Sequence, residues 1–394
     1  MTLAQLALTV ATLGVLGLIA SRFGLSAIPA YLLAGLLLGP NEPKELSLIK
    51  PSDVTEFVAD LGIIFLLFFL GLEFTLGRLA RSRRLAVLGG SLDFVTNAGL
   101  GAVIGVVAFG FSFGALILAA AIYVSSSAIA VKGLIDFRRL ADDETDLVLA
   151  ILVAEDIVIA LVLGFAAGGG GGAGATLAIV AKAVVFVAAS LAASRWLARP
   201  LDRVLDLLPR EFFLLAVFAF LIGMAATARE LGLSEAIGAL MAGVVLSETH
   251  IRGEIEERFF SFRDVFAALF FFVFGLSIDV STIDSVGWLV AAAVAVTFAG
   301  KLGGGYLAGR TSGFSQRRSF NAAVALVAHG EFTIILADLA AGNPQISSSH
   351  QAKLVAFAGL YVLVTATLGI ILMKESKALG RRVFRVPRLA EEGT

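Results

Sequence analysis

Long apolar stretches alternate with short polar segments along the whole chain of 394 residues. A helix of about 20 apolar residues crosses the hydrocarbon core of a bilayer, and on that measure the pattern predicts about thirteen membrane-spanning α-helices. The second and ninth are short for a crossing, so we expect them to be tilted or partly broken. The predicted spans are 3–21, 28–39, 54–75, 85–110, 113–135, 146–167, 174–194, 211–228, 234–247, 264–279, 286–309, 319–341 and 353–373.

The polar segments between these spans differ in charge. If the N-terminus lies outside, the inner loops hold most of the 30 Lys and Arg residues, including those in segments 78–84, 195–210 and the tail 374–394. Short cytoplasmic loops of membrane proteins collect basic residues in this way. The charge pattern therefore supports the number of spans and predicts a cytoplasmic C-terminal tail.

The composition supports a polytopic membrane protein. Hydrophobic residues make up 58% of the chain and charged residues 15%, outside the range of ordinary soluble domains. The chain has no cysteine, which excludes disulfides and thiolate metal sites. A net charge of -1 gives no reason to expect a nucleic-acid partner. With no phosphate-binding glycine loop, we expect neither ATP-driven transport nor a bound cofactor, and no enzymatic activity.

Two parts of the sequence repeat each other. The stretch "FGLSAIPAYLLAGLLLGP" (23–40) resembles "LGLSEAIGALMAGVVLSE" (231–248), and the spans that follow share "FFLGLEF" (68–74) and "FVFGLSI" (272–278). The copies are an odd number of spans apart, which predicts two repeats of opposite orientation in the membrane. Inverted repeats with broken helices and a midplane site are typical of secondary transporters. We expect a first repeat over 1–167, a linking helix and cytoplasmic loop over 168–210, and a second repeat over 211–373.

Two adjacent carboxylates interrupt the middle of the sixth span, at Glu155 and Asp156. A carboxylate facing lipid there would cost about 2.5–3.5 kcal/mol, so both must face protein or a water-filled cavity. Neighbouring residues of a helix point about 100° apart, so one can bind an ion while the other is held by a neighbour. A buried carboxyl group for which a proton and a monovalent cation compete is the minimal chemistry of an exchanger. The alternative is that both only tie the helix to its neighbours.

Three further polar residues lie inside predicted spans. Lys301 is the one basic residue deep in a span, and a buried ammonium group needs a partner, for which the acid pair is the candidate. The alternative is that Lys301 extends toward the cytoplasmic face. Asp93 and Asn97 lie one turn apart in the fourth span, where they either line the ion path or join helices.

The fifth and twelfth spans carry polar stretches at equivalent places in the two repeats. We expect both helices to unwind there, because the freed carbonyls and half-helix ends at mid-membrane need partners that ions can supply. Packing between helices is the alternative role for the serines and the histidine. The residues of these stretches are Ser125, Ser126 and Ser127 in the fifth span, and His329, Gly330 and Glu331 in the twelfth.

Taken together, several ordered motifs resemble the Kef-type branch of the bacterial cation:proton antiporters, a relative of the Na+/H+ antiporter superfamily. They are "FLGLEF" (69–74), "SSSAIAV" (125–131), "EDIVIALVL" (155–163), "LMAGVVLSE" (240–248), "LFFFVFGLSID" (269–279), Lys301 and "HGEF" (329–332). The resemblance implies an all-α antiporter fold with crossed broken helices, and a homodimer in a bacterial inner membrane. It also implies a scaffold of spans 1–3 and 8–10, and a moving core of spans 4–6 and 11–13.

The resemblance also implies roles for the acid pair. Asp156 matches the aspartate that binds Na+ or K+ in exchange for protons, and Glu155 occupies the preceding, variable position. Many Kef-type members have Gln there, so Glu155 leaves both the cation and the stoichiometry open.

Two other classes of protein are alternatives to an antiporter. A sodium-coupled symporter of an organic anion would need a larger polar cavity. An intramembrane protease would need a motif such as His-Glu-x-x-His, and "AHGEF" lacks the second histidine.

Overall fold

The chain is helical throughout the part that the computed structural model describes, residues 3–40, 48–73, 83–139, 141–166, 173–279, 281 and 283–384. No β-strand occurs among these residues. In chain order the helices are α1 (Leu3–Arg22), α2 (Ala27–Leu38), α3 (Asp53–Glu73), α4 (Arg83–Asp93), a π-helical turn (Phe94–Ala98), α5 (Gly99–Phe109), α6 (Phe113–Tyr123), α7 (Ser127–Asp136), α8 (Thr145–Ala166), α9 (Ala173–Trp196), α10 (Ala198–Asp206), α11 (Arg210–Glu230), α12 (Glu235–Ser247), α13 (Arg252–Leu276), α14 (Ile283–Thr311), α15 (Gln316–Ala325), α16 (Glu331–Ala341) and α17 (Ser348–Val383).

Many of these helices are long and apolar enough to cross a bilayer. Within the described residues, eight candidate spans meet that condition by length and composition, and α2 and α12 are shorter apolar helices. Large apolar side chains such as Val15, Val103 and Val185 are exposed on the outside, as expected of a surface that contacts lipid. The prediction of an all-α membrane protein is confirmed. The number of thirteen spans stays a prediction.

Three elements differ from the predicted spans. The fourth span contains the π-helical turn Phe94–Ala98, and the linking segment contains the short helix α10. Helix α17 continues ten residues beyond the predicted end at residue 373, with Arg381 and Arg382 in its last turn, where cations interact favourably with the helix dipole. Outside the described residues lie the predicted loop at 168–172, Phe74 of the "FLGLEF" motif and the last ten residues of the tail.

The helices pack into two groups. Helices α1 to α3 pack with α11 to α13, chiefly through α3 on α12 and α13 and through α2 on α13. Helices α4 to α8 pack with α14 to α17, through α14 on α4 and α16 on α6. The first group corresponds to the scaffold and the second to the core that the family resemblance implies.

Four glycines join the helices of the first group. A Cβ atom placed on Gly35 of α2 would lie 2.8 Å from the Cα of Gly275 of α13, and one on Gly71 of α3 would lie 2.8 Å from the Cα of Gly243 of α12. Gly35 and Gly243 occupy matching places in the two sequence copies, and so do Gly71 and Gly275. A two-fold axis relating the copies would exchange one contact for the other. The backbones approach closely because no side chain separates them.

Candidate ion site at the helix crossing

The fifth predicted span is broken at its polar stretch. Helix α6 ends at Tyr123, the backbone is extended at Val124 (φ -82°, ψ 123°), and α7 begins after Ser126. The hydroxyl of Ser126 caps α7 by accepting a hydrogen bond of 3.2 Å from the backbone N–H of Ile129. Serine favours this position because its side chain satisfies a donor that the first turn leaves free. The break therefore follows from the Ser residues in an otherwise apolar helix.

The twelfth predicted span is broken in the same way. Helix α15 ends at Ala325 and α16 begins at Glu331, with the segment 326–330 between them. Gly330 has φ -162° and ψ -125°, and a Cβ at this position would lie 2.6 Å from the hydroxyl oxygen of Ser126. A glycine is needed here because the two broken helices cross in close contact.

Hydrogen bonds join the two breaks. The Ser126 N–H donates to the Ala328 carbonyl (2.8 Å), and the Ser125 hydroxyl donates to the Leu326 carbonyl (2.8 Å). The Ser126 hydroxyl donates to Oε2 of Glu331 at 2.7 Å. These bonds satisfy backbone groups that the broken helices leave unpaired inside the membrane. The predicted crossing of two broken helices is confirmed.

His329 lies inside this crossing. Its Nε2 is 2.9 Å from the Ile122 carbonyl oxygen and its Nδ1 is 2.9 Å from the Val327 carbonyl oxygen. Its ring also packs edge-on against Tyr361, with centroids 4.9 Å apart. The histidine therefore bridges the ends of α6 and α15.

Asp156 lies on α8 beside the start of α7. The Ser127 hydroxyl is 3.3 Å from both carboxylate oxygens of Asp156. Asp156 is 5% exposed and Ser127 is 8% exposed, so both are nearly enclosed by protein. A hydroxyl and a carboxylate supply oxygen ligands of the type that hard monovalent cations take. This pair is the centre of the candidate ion site.

Glu155 points to a different set of partners from its neighbour. Lys301 Nζ donates to Glu155 Oε1 at 2.8 Å and to Asp93 Oδ2 at 3.0 Å and Oδ1 at 3.2 Å. The Ser125 backbone N–H donates to Glu155, and the oxygen of the Ser125 hydroxyl, which donates to the Leu326 carbonyl, lies 3.0 Å from Glu155 Oε1. Glu155, Lys301 and Asp93 are each 0% exposed. The sequence prediction that one carboxylate of the pair is held by a neighbour agrees with this arrangement.

The partner of Lys301 is only partly the predicted one. The structure places Lys301 between Glu155 and Asp93, and its full burial is incompatible with an extension toward the cytoplasm. Asp93 and Asn97 lie together, with Asn97 Nδ2 donating to Asp93 Oδ1 at 2.8 Å. The sequence reasoning missed Tyr123, whose ring lies 5.3 Å from Lys301 Nζ. The sequence signal for Tyr123 was its position as an aromatic residue close before the serine stretch.

A cavity of about 650 Å³ opens between the two groups of helices. Ser127 and Glu331 line it, together with Lys132 and Asp136 on α7 and Arg263 on α13. Lys132 pairs with Asp136 at 3.2 Å. The basic segments predicted to be cytoplasmic adjoin the C-terminal end of α7 and the N-terminal end of α13. The cavity therefore connects the predicted cytoplasmic side to Ser127, whose hydroxyl contacts Asp156.

Two bundles of helices, a crossing of broken helices and buried carboxylates beside it define the class of this protein, a polytopic membrane transporter. Residues 7–374 match the family "Sodium/hydrogen exchanger, transmembrane". The chain belongs to this family, which confirms the resemblance to the cation:proton antiporters.

Known proteins resemble the chain over nearly its full length. It is 39% identical over 377 residues to the K(+)/H(+) antiporter subunit KhtU of Bacillus subtilis, covering 93% of this chain and 92% of the relative. It is 29% identical over 374 residues to the ammonium/H(+) antiporter subunit AmhT of Alkalihalophilus pseudofirmus, covering 93% and 91%. Its fold matches that of the sodium proton antiporter MjNhaP1 of Methanocaldococcus jannaschii with a TM-score of 0.72 at 17% identity, covering 96% of this chain and 97% of that structure.

Proposed function

We propose that the protein is a secondary antiporter that exchanges a monovalent cation for protons, with Asp156 as the group for which the two compete. The observation that carries this proposal is the separation of the two adjacent carboxylates. Glu155 accepts hydrogen bonds from Lys301 and Ser125, whereas Asp156 lies 3.3 Å from the hydroxyl of Ser127, a residue that lines the cavity. This contact supports Asp156 as the carboxylate that meets an ion from solution.

The exchange follows from the chemistry of a nearly enclosed carboxylate. Burial disfavours a negative charge, so either a proton or a cation stabilises the Asp156 site. Arrival of a cation releases the proton, and arrival of a proton releases the cation. In the proposed cycle the core, α4 to α8 with α14 to α17, then moves against the scaffold. This movement exposes the site on the other side of the membrane.

K+ is the cation that we propose first, because the relative at 39% identity is named as a K(+)/H(+) antiporter subunit. Na+ and ammonium are the alternatives, since the family description names sodium and a second relative is named for ammonium. The family membership and the relatives support exchange and do not support symport of an organic anion. We further propose a homodimer in a bacterial inner membrane, with the N-terminus outside and the C-terminus in the cytoplasm.

Purified protein in sealed liposomes with an acidic lumen tests the exchange. A pH-sensitive dye reports the lumen while K+, Na+, Li+ or choline is added outside. We expect K+ to raise the luminal pH, choline to leave it unchanged, and Asp156→Asn to lose the response. Asp146→Asn is the matched control, because it makes the same substitution on an exposed residue of α8 and should retain transport.

Two results would contradict the proposal. The first is folded protein that responds to none of the metal cations at any pH tested, which would rule out exchange of K+ or Na+. The second is an Asp156→Asn variant that responds like the unmodified protein.

A further inference from the structure

The buried cluster of Asp93, Lys301 and Glu155 carries an unbalanced charge. Two carboxylates lie within hydrogen-bonding distance of one ammonium group, and all three side chains are 0% exposed. If all three groups are ionised, the cluster has a net charge of -1 inside the membrane. An uncompensated buried charge is strongly unfavourable, and a proton on one carboxyl group removes it. The cluster is therefore suited to hold one proton in addition to any on Asp156.

The donors around the two carboxylates differ. Both oxygens of Glu155 accept hydrogen bonds, Oε2 from the Ser125 N–H and Oε1 from Lys301, whereas the Ser125 hydroxyl donates to the Leu326 carbonyl. These donors require an acceptor, so they favour the ionised form of Glu155. Oδ2 of Asp93 accepts only from Lys301 among the described residues. No neutral donor therefore competes with a proton at Oδ2 of Asp93, whereas the Ser125 N–H occupies Oε2 of Glu155.

Asn97 supplies a partner for both protonation states of Asp93. Its Nδ2 donates to the carboxylate at 2.8 Å, while its Oδ1 is buried without a hydrogen-bond partner among the described residues. A rotation of the amide exchanges these two atoms, and Oδ1 then accepts a hydrogen bond from a protonated Asp93. Gly300 faces this amide, and a Cβ there would lie 3.1 Å from Asn97 Cγ. The amide oxygen would lie only 2.3 Å from such a Cβ, so the glycine is what allows the Asn97 amide to lie here.

The local backbone and the neighbouring groups are consistent with this role. Asp93 immediately precedes the π-helical turn, and such turns are frequent at functional sites. The charged and titratable groups facing Asp93 from the surrounding helices are Lys301 on α14, Glu155 on α8 and Tyr123 on α6. Lys301 is the only cation within 4.0 Å of Asp93 in the described part of the chain. The Tyr123 hydroxyl, like Asn97 Oδ1, is buried there without a hydrogen-bond partner.

We propose that Asp93 holds and releases a proton beside Lys301, with the Asn97 amide as the positioning group that serves both states. The inference rests on the proposed antiport, to which it adds a second proton site distinct from the cation site at Asp156. Asp93 takes the proton from water and forms an O–H bond, which donates to Asn97 Oδ1 in place of the hydrogen bond that Asn97 Nδ2 donates to the carboxylate. When the proton returns to water, the cluster is left at a net charge of -1.

Infrared difference spectroscopy of the full-length protein between acidic and alkaline pH tests this site without requiring transport. The Asp156→Asn variant provides the background, because it removes the carboxyl group of the cation site. We expect the C=O stretching band of a buried carboxylic acid that disappears at alkaline pH. Isotope-labelled aspartate should shift the band, and labelled glutamate should not. Adding Asp93→Asn should abolish it, whereas adding Glu331→Gln, a buried acid outside the cluster, should leave it in place.

A second variant covers the case in which Asp93→Asn does not fold. Asn97→Leu retains the acid but removes its hydrogen-bond partner, so the band should persist and move to the frequency of a free acid. A band that follows the glutamate label, or that survives Asp93→Asn, would overturn the assignment to Asp93. An unchanged band in Asn97→Leu would overturn the role of the amide. Failure of cation exchange in liposomes would be a separate result, since the infrared band does not depend on it.

Discussion

Ser126, the N-cap of α7, donates a hydrogen bond of 2.7 Å to the carboxylate of Glu331, the first residue of α16. The same hydroxyl accepts from the Ile129 N–H and so caps α7. One side chain thus connects the second halves of both broken helices. Glu331 in turn places a negative charge at the N-terminal end of α16, where the helix dipole favours it.

Ser126→Ala removes both interactions, and we expect the free energy of unfolding in detergent to fall by about 2 kcal/mol, the sum of a lost cap and a lost hydrogen bond to a charged group. Ser126→Thr retains the hydroxyl, so its free energy of unfolding should fall by less. Ser26→Ala is the matched control, because Ser26 caps α2 but has no carboxylate partner among the described residues. Equal losses at Ser26 and Ser126 would show that the bond to Glu331 contributes nothing.

Lys301→Met leaves two buried carboxylates without their cation. We expect the free energy of unfolding to fall by about 3–5 kcal/mol, as in other proteins that lose one partner of a buried ion pair. The loss should be larger at alkaline pH, because protons can neutralise the carboxylates at acidic pH. Thermal unfolding followed at two pH values measures both effects. Adding Asp93→Asn and Glu155→Gln to Lys301→Met should recover most of the stability, and no recovery would contradict a charge-based loss.

Gly71 and Gly243 set the separation of α3 and α12. Alanine at either position brings a methyl group within 2.8 Å of the facing Cα, so we expect Gly71→Ala and Gly243→Ala each to lower stability by about 1–3 kcal/mol. Gly14→Ala and Gly223→Ala are controls, because nothing lies within 4 Å of a Cβ at those helical positions. They should be neutral or stabilising. Equal behaviour of all four variants would contradict the close packing.

Arg139 is buried in the loop between α7 and α8, outside the spans. It donates to the Asn321 carbonyl and the Ser376 hydroxyl, both at 3.1 Å, and lies 3.8 Å from Glu144. Burial lowers the pKa of the Arg139 guanidinium, with Glu144 and Asp142 opposing that shift. The loop is thereby attached to α15 and to the extension of α17.

Arg139→Met should cost about 3 kcal/mol, because it leaves the buried Glu144 without this cation and two acceptors without their donor. Arg138 provides a contrast at the adjacent position. It has φ 54°, in the left-handed region, so Arg138→Gly should raise stability by about 1 kcal/mol. Urea unfolding of the two variants measures both changes. Losses of similar size at the two positions would indicate a general effect of disturbing the loop.

The sequence predicted those features that depend on local pattern. The spans follow from runs of apolar residues, and the breaks follow from Ser125–Ser127 and from His329–Glu331 in otherwise apolar helices. The separation of Glu155 from Asp156 follows from the turn of a helix. The apolar membrane surface and the short helices α2 and α12 were predictable for the same reason.

Features that depend on the relative rotation of distant helices were not predictable in detail. Asp93 and Lys301 lie in different halves of the chain, and no local pattern shows that their helix faces meet. The π-helical turn after Asp93 leaves no trace in the apolar periodicity. Arg139 has the sequence context of a solvated basic loop, yet packing against α15 and α17 buries it. These are tertiary effects, which one chain's pattern does not encode.

The absence of cysteine from the sequence allows the orientation of the cavity to be tested directly. Lys132→Cys places a thiol on the cavity wall, at a side chain that is 60% exposed, and Arg229→Cys places one at the end of α11, at a side chain that is 75% exposed. We expect a membrane-impermeant maleimide to label residue 132 in inside-out vesicles and residue 229 in right-side-out vesicles, because the basic loops place α7's end in the cytoplasm. The reverse pattern would invert the proposed topology. Labelling of both positions from one side would mean that the spans between them are wrongly counted.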